Sequence, residues 1–185
     1  FTTLAAWVLG LVMPNTAGAV TYTARLLYPA GFSQAFAYGV SGTSQVGEAF
    51  FSHSTYHAHL WNGTSASAVG LNPAGFKNST ALDVSGASQV GWGNSLTHGD
   101  HALLWSGTAA SAVDLHPAGF DGSYARGISG ASQVGHGRSS ATGTYHALMW
   151  NGTAASAVDL HPVGFGWSQA SGVWQSSQVG WANGT

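Results

Sequence analysis

Charged side chains are scarce in this sequence. Only 5% of the 185 residues are Asp, Glu, Lys or Arg, whereas a typical soluble domain has about 25%. The chain has four basic residues and a formal net charge of −2. Four basic residues cannot neutralise a track of phosphates, so we predict no nucleic-acid partner. Cysteine is absent, which excludes disulfides and thiolate metal sites.

Long hydrophobic runs are missing as well. The apolar run from Leu4 to Val12 is nine residues long, whereas a helix needs about 20 residues to span a bilayer. Pro14 follows the run, and Ala17-Gly18-Ala19 supplies the small residues that a signal peptidase accepts. We therefore predict a signal peptide remnant at 1–19, no transmembrane segment, and secretion to the periplasm or the extracellular space. A buried N-terminal strand or helix is the alternative.

Apolar residues also lack helical periodicity. The dominant pattern in the sequence is instead a tandem repeat. A Pro-x-Gly-Phe motif begins at Pro29, Pro73, Pro117 and Pro162, with spacings of 44, 44 and 45 residues. A Ser-Gln-Val-Gly motif has the same spacings and begins at Ser44, Ser88, Ser132 and Ser177. A His-Ala-x-x-Trp motif runs from His57 to Trp61, from His101 to Trp105 and from His146 to Trp150. We predict a repeat domain at 20–185, with repeats at 29–72, 73–116 and 117–161 and a partial repeat at 162–185.

Each repeat has the pattern of four short β-strands. In the third repeat we predict strands at Tyr124 to Ser129, Ser132 to His136, Tyr145 to Trp150 and Ala155 to Leu160. Asn151-Gly152 predicts a type I′ turn between the last two, because both residues tolerate positive φ. Four antiparallel strands in about 40 to 50 residues are typical of a propeller blade. We predict an all-β, β-propeller-like array of about three and a half blades with almost no helix.

The two ends of the repeat array do not together complete a closed ring. Thr23 to Leu27 aligns with the fourth strands of the later repeats, for example with Ser67 to Leu71. The last repeat has only its first two strands, ending near Gly180. We therefore expect an incomplete, open propeller and a chain that is a fragment of a longer protein.

The ordered motifs resemble a known repeat family. Tandem His-Ala-x-x-Trp and Ser-Gln-Val-Gly motifs are similar to those of the bacterial extracellular HAF repeat family, which is named for its His-Ala-Phe motif. The resemblance extends over 22–180 and implies a secreted, β-propeller-like protein with no established catalytic residues. The chain departs from the family pattern at His59, Leu103 and Leu148, where phenylalanine is usual.

Nine histidines suggest a metal site as one hypothesis, because imidazole is a common metal ligand. His57, His101 and His146 occupy one place in three successive repeats, so we expect them to lie along the array rather than to face one another. We predict structural roles for these histidines and for the motif tryptophans Trp61, Trp105 and Trp150, with no metal and no cofactor. Metal binding or catalysis by the histidines is the alternative.

Residues that differ between otherwise similar repeats are the predicted ligand contacts. On the first strand these are Tyr38, Leu82, Arg126 and Ser171. The predicted loops between strands two and three also vary, at Phe50 to Thr55, Trp92 to Gly99 and Gly137 to Thr144. Their aromatic, amide and hydroxyl groups suit a saccharide, which stacks and accepts hydrogen bonds. Sequence drift in tolerant positions is the alternative.

Catalytic signatures are absent from the sequence. No Gly-x-Ser-x-Gly nucleophile motif occurs. Asp114 and Asp159 occupy one equivalent fourth-strand position, the other four carboxylates are dispersed over non-equivalent positions, and nothing indicates a catalytic pair. We predict a non-enzymatic binding or structural module at the cell surface, with an extracellular polysaccharide or a surface protein as its partner. The alternative is a fragment of a secreted propeller enzyme, a polysaccharide lyase or glycosidase, whose catalytic blades lie outside this sequence.

Overall fold

The computed structural model describes residues 7–11 and 22–184. These residues form sixteen β-strands and three short 3-10 turns, and they contain no α-helix. The all-β prediction is therefore confirmed. Within the same two ranges, no helix is long and apolar enough to cross a membrane.

Each complete repeat forms one antiparallel sheet of four strands. The first sheet contains β3 (Gln34–Ser41), β4 (Ser44–Ser52), β5 (Thr55–Asn62) and β6 (Val69–Gly70). The second contains β7 (Phe76–Ser85), β8 (Ser88–Ser95), β9 (Asp100–Trp105) and β10 (Val113–Asp114). The third contains β11 (Phe120–Ser129), β12 (Ser132–Ser139), β13 (Tyr145–Trp150) and β14 (Val158–Asp159). Every strand pairs with its neighbour in the chain, so the first and fourth strands are the two edges of each sheet.

A two-stranded sheet lies at each end of the described chain. At the C-terminal end, β15 (Phe165–Trp174) pairs with β16 (Ser177–Gly184), as the first two strands of the partial repeat. At the N-terminal end, β1 (Trp7–Leu11) pairs with β2 (Tyr22–Leu26). Most of the predicted signal segment 1–19 lies outside the described residues. Within that segment, Trp7–Leu11 is a β-strand. Cleavage of a signal peptide stays a prediction.

The predicted strand bounds in the third sheet are correct for one strand and wrong for three. Strand β13 is as predicted. Strand β11 begins four residues earlier than predicted, and β12 continues three residues further. The fourth strand is only two residues long, because a 3-10 turn at Ala154–Ser156 occupies the start of its predicted range.

The type I′ turn predicted at Asn151-Gly152 is wrong. Gly152 has a positive φ of 80°, but Asn151 does not have a positive φ. Instead, the Thr153 side chain accepts a hydrogen bond from the Ser156 backbone in a capping box. The Ser156 hydroxyl in turn accepts the Asn151 N–H at 2.8 Å. The Asn-Gly-Thr segment therefore starts a 3-10 turn rather than a tight hairpin.

The hydrophobic core lies between successive sheets. Trp105 of the second sheet packs with Val46 and Ala58 of the first sheet. Trp150 of the third sheet packs in the same way with Val90 and Ala102 of the second. Trp61, Trp105 and Trp150 are all at most 1% exposed. Each contributes on the order of 5 kcal/mol of hydrophobic stabilisation, so each sheet depends on its neighbour.

The glutamine of the Ser-Gln-Val-Gly motif closes two loops at once. Gln89 is 1% exposed, and its side-chain amide donates to the Ala87 carbonyl at 2.7 Å. Its Oε1 accepts the Gly107 N–H at 2.8 Å. Gln45 and Gln133 make the same two hydrogen bonds in their own sheets. The motif therefore ties the turn after strand one to the turn after strand three.

Candidate functional site

The first strand of each sheet contains a β-bulge at one equivalent place. In the first sheet, Ala37 is opposite Gly47 and Gly39 is opposite Val46, so Tyr38 has no partner of its own. Leu82, Arg126 and Ser171 are the unpaired residues in the other three sheets. The bulged residues are thus the four predicted first-strand contacts. A bulge redirects a side chain and is common beside binding and active sites.

The motif glycine opposite each bulge has a steric reason. A Cβ on Gly47 would lie 1.8 Å from the Phe36 carbonyl oxygen, and one on Gly91 would lie 1.9 Å from that of Thr80. Gly135 and Gly180 are in the same situation. Because no side chain fits there, the last residue of Ser-Gln-Val-Gly is required by the bulge. The repeated motif therefore builds the backbone that presents the variable residue.

In two of the four repeats, the residue directly after the motif glycine is a hydrogen-bond partner of the bulged residue. The Tyr38 hydroxyl donates to Glu48 Oε1 at 2.8 Å, and Arg126 Nε donates to His136 Nδ1 at 3.3 Å. In every repeat, we call the bulged residue and the residue directly after the motif glycine a bulge pair. The four bulge pairs are Tyr38–Glu48, Leu82–Trp92, Arg126–His136 and Ser171–Trp181. Their chemistry changes from phenol and acid to apolar, cationic and hydroxyl–aromatic, whereas the surrounding motifs repeat.

The Tyr38–Glu48 pair joins the first two sheets. Glu48 is 8% exposed, and its second oxygen accepts a hydrogen bond from the Thr80 hydroxyl of the second sheet. Burial raises the pKa of the Tyr38 phenol, and the hydrogen bond to Glu48 raises it further. Tyr38 therefore remains a protonated hydrogen-bond donor at neutral pH, and half of its surface is exposed, at 50%.

The Arg126–His136 pair combines a cation with a neutral imidazole. His136 is 6% exposed, and burial, with the adjacent Arg126 charge, lowers its pKa to about 4. At neutral pH the uncharged ring can accept the Arg126 Nε–H through Nδ1. The Tyr124 ring stacks on His136 with centroids 4.9 Å apart. Tyr124 is fixed in turn by its hydroxyl, which donates to Asp100 at 2.6 Å.

A continuous path of rings connects the bulge pairs of the three complete sheets. Neighbouring ring centroids along this path are between 4.9 and 6.4 Å apart. In order, the rings are Tyr38, Phe36, Phe50, Tyr56, Trp92, Tyr124, His136 and Tyr145. We call these rings the aromatic layer. Tyr38 belongs to it, and Arg126, from a different repeat, contacts it through its hydrogen bond to His136.

The predicted variable loops are shorter than expected. Phe50 and Trp92 belong to strands β4 and β8, because the second strands continue to Ser52, Ser95 and Ser139. The side chains of Phe50 and Trp92 therefore belong to the aromatic layer and not to a loop. The remaining connections span residues 53–54, 96–99 and 140–144.

The motif histidines His101 and His146 are held within their own sheets. His101 Nδ1 lies 2.7 Å from Asp114 Oδ2 on the fourth strand, and its ring stacks on His116 at 4.1 Å. His146 repeats this arrangement with Asp159 and His161 at the same two distances. The first sheet has Gly70 and Asn72 at the corresponding places, so His57 lacks both contacts. Sequence reasoning missed these His–Asp contacts.

The serine next to this histidine cluster serves as a contact between sheets. Ser123 Oγ lies 2.9 Å from His116 Nδ1, which resembles a nucleophile and its base. However, Ser123 is fully buried, and its oxygen accepts the Ala102 N–H of the second sheet at 3.0 Å. Ser79 and Ser168 accept the N–H groups of Ala58 and Ala147 in the same way. This serine therefore links neighbouring sheets and cannot reach a substrate.

The described residues bring together no group of three or more His, Asp or Glu side chains with metal-binding geometry. The predicted absence of a metal and of a cofactor stays a prediction, to be tested by metal analysis of the purified protein.

In comparisons with known proteins, no family model matches the chain, and neither a curated protein nor a solved structure matches it. The resemblance to the HAF repeat family therefore stays a prediction.

Proposed function

We propose that the chain is a secreted, β-propeller-like module that binds an extracellular polysaccharide through its bulge pairs, without catalysis. One observation carries this proposal. The motifs that build the bulge are the same in every repeat, while the combination of two side chains in the bulge pair is different in each repeat. A constant frame with variable contacts is suited to recognising an extended ligand with different groups along its length.

The chemistry of the bulge pairs supports a saccharide ligand. Leu82 and Trp92 offer an apolar surface for the C–H face of a sugar ring, as stacking on an aromatic side chain requires. Tyr38 adds a half-exposed ring with a bound hydroxyl. A low content of charge, 5% of the chain, leaves hydrogen bonds and stacking as the main contacts.

The approach of neighbouring first strands supports the propeller-like arrangement. A Cβ on Gly39 would lie 2.9 Å from the Asp83 Cα of the next sheet, and one on Gly127 would lie 3.2 Å from the Gly172 Cα. This crowding is expected where blades converge on an axis. In such an array the bulge pairs of successive sheets would line one continuous surface.

The absence of catalysis is proposed because the carboxylates of the aromatic layer already have partners. Glu48 accepts hydrogen bonds from two hydroxyl groups. Asp100 accepts hydrogen bonds from Tyr124 and from the Asn94 side chain. A glycosidase needs one carboxyl group free to donate a proton and a second free to act on the sugar or on water.

The experiment is a binding comparison on a panel of soluble polysaccharides, with affinity electrophoresis as the measurement. Leu82→Ala removes an apolar side chain from a bulge pair. Val113→Ala, at the opposite edge of the same sheet, is the matched control for deleting apolar atoms. We expect Leu82→Ala to weaken binding about tenfold and Val113→Ala to bind as the unsubstituted chain does. Equal binding by both variants, or no binding to any member of the panel, would contradict the proposal.

A further inference from the structure

Arg126 is a cation that pairs with no carboxylate of residues 7–11 and 22–184. Among the described residues, its only hydrogen bond is the one to His136, and the ion pairs found there do not include it. Partial burial lowers the pKa of its guanidinium, although the side chain remains exposed to solvent. By contrast, the nearby Arg138 on the same sheet pairs with Asp121 at 3.1 Å. Because Arg126 is exposed and has no carboxylate partner among the described residues, its guanidinium is available to pair with an anionic group of a ligand.

The guanidinium is also held in a fixed position. The bulge redirects Arg126 out of the regular strand alternation, and neutral His136 accepts a hydrogen bond from its Nε. This bond uses one of the five N–H groups and leaves the two terminal nitrogens for a ligand. Such a planar, pre-oriented fork matches the two oxygens of a carboxylate or a sulfate.

An apolar surface for a sugar ring lies beside this charge. The Trp92 ring of the neighbouring bulge pair is 5.5 Å from the Tyr124 ring, centroid to centroid. Tyr124 lies two residues before the bulged Arg126 and stacks on His136. A stacking surface and an unpaired cation therefore adjoin each other in the layer.

We infer that the ligand is an anionic polysaccharide and that Arg126 binds its carboxylate or sulfate group. The inference rests on the proposed function and adds the charge of the ligand to it. Recognition would depend on this one positioned cation rather than on a general positive potential, because the chain carries a formal charge of −2. His136 would be a positioning residue that orients the guanidinium.

The test compares binding of three soluble polymers, polygalacturonate, dextran sulfate and uncharged dextran, by affinity electrophoresis. Arg126→Ala removes the cation, and Arg126→Lys keeps the charge but removes the planar fork. Arg138→Ala is the matched control, since it removes an exposed arginine that already has a partner. Circular dichroism melting curves establish that each variant is folded, and Arg126→Lys provides the answer if Arg126→Ala does not fold.

We expect the unsubstituted chain to prefer an anionic polymer to dextran, and Arg126→Ala to bind that polymer at least about tenfold more weakly. Arg126→Lys should bind with intermediate strength, and Arg138→Ala should bind normally. If Arg126→Ala loses binding to polygalacturonate alone, Arg126 belongs to a carboxylate site. If it loses binding to dextran sulfate equally, Arg126 belongs to a general anion site. Unchanged binding of anionic polymers by Arg126→Ala and Arg126→Lys would overturn this inference but leave the proposed function intact. Failure of the unsubstituted chain to bind any of the three polymers would count against both.

Discussion

The buried His136 should make the free energy of unfolding depend on pH. Substituting His136 should remove its contribution to that dependence. Its folded pKa is lowered from an ordinary value of 6.5 to about 4, mainly because the ring is buried. Between these two values the unfolded chain binds a proton that the folded chain does not. The free energy of unfolding must therefore fall as the pH falls through this window.

The size of the effect follows from the two pKa values. Between neutral pH and about pH 4.5, the protonation of His136 in the unfolded chain lowers the free energy of unfolding by about 2.5 kcal/mol. That is a large fraction of the about 5 to 15 kcal/mol that stabilises a typical domain. His57, His59 and His116, whose pKa values burial also lowers, add to the pH dependence of the unsubstituted chain. They do so equally in a variant of His136, so the difference between the two chains isolates this residue.

The variant is His136→Gln, which keeps a carbonyl oxygen to accept the Arg126 hydrogen bond but cannot titrate. Urea unfolding at about pH 7 and about pH 4.5 gives the loss of stability in each chain. We expect this loss to be about 2.5 kcal/mol smaller in His136→Gln. The reasoning is refuted if His136→Gln loses as much stability as the unsubstituted chain does.

Three further substitutions test the structural account by urea unfolding. Gln89→Ala leaves the partly buried Gly107 amide without its acceptor and should cost about 1 to 3 kcal/mol. Gln178→Ala, at the exposed motif position of the partial repeat, should cost almost nothing, and equal costs would contradict the proposed role of the motif. Gln175 has a positive φ of 53° where the other sheets have glycine, so Gln175→Gly should stabilise the fold by about 1 kcal/mol, and a loss would show that this turn is not strained. Gly70→Asp restores the carboxylate that His57 lacks and should add about 0.5 kcal/mol, a gain that a combined His57→Ala change should abolish.

The repeat spacing was enough to predict the all-β class and one four-stranded sheet per repeat, because motif order and strand length are local features of the sequence. Alignment of the repeats also marked Tyr38 and Arg126 as positions that differ within a constant frame, and the structure places both at bulges. Their role in ligand binding stays a prediction. Their partners Glu48 and His136 were missed, although each directly follows Ser-Gln-Val-Gly and varies in the same way. A bulge shifts the register by one residue, and pattern reasoning cannot locate that shift.

The turn at Asn151-Gly152 shows a different limit of sequence reasoning. Local preference favours a hairpin there, but the hydroxyls of Thr153 and Ser156 supply competing hydrogen bonds that stabilise a 3-10 turn. The His–Asp contacts were missed for a related reason. His101 and Asp114 are 13 residues apart and meet only when the short fourth strand pairs with the third.

The central claim, that the bulge pairs form the binding surface, is tested most directly by mapping a bound oligosaccharide onto the backbone. Titration of the ¹⁵N-labelled chain with a short oligogalacturonate would show which amide resonances shift. The account predicts that the shifts concentrate at the first-strand bulges around Tyr38, Leu82 and Arg126 and at the strand-two residues opposite them. Shifts confined to the fourth strands and the 3-10 turns, with the bulge amides unchanged, would contradict it.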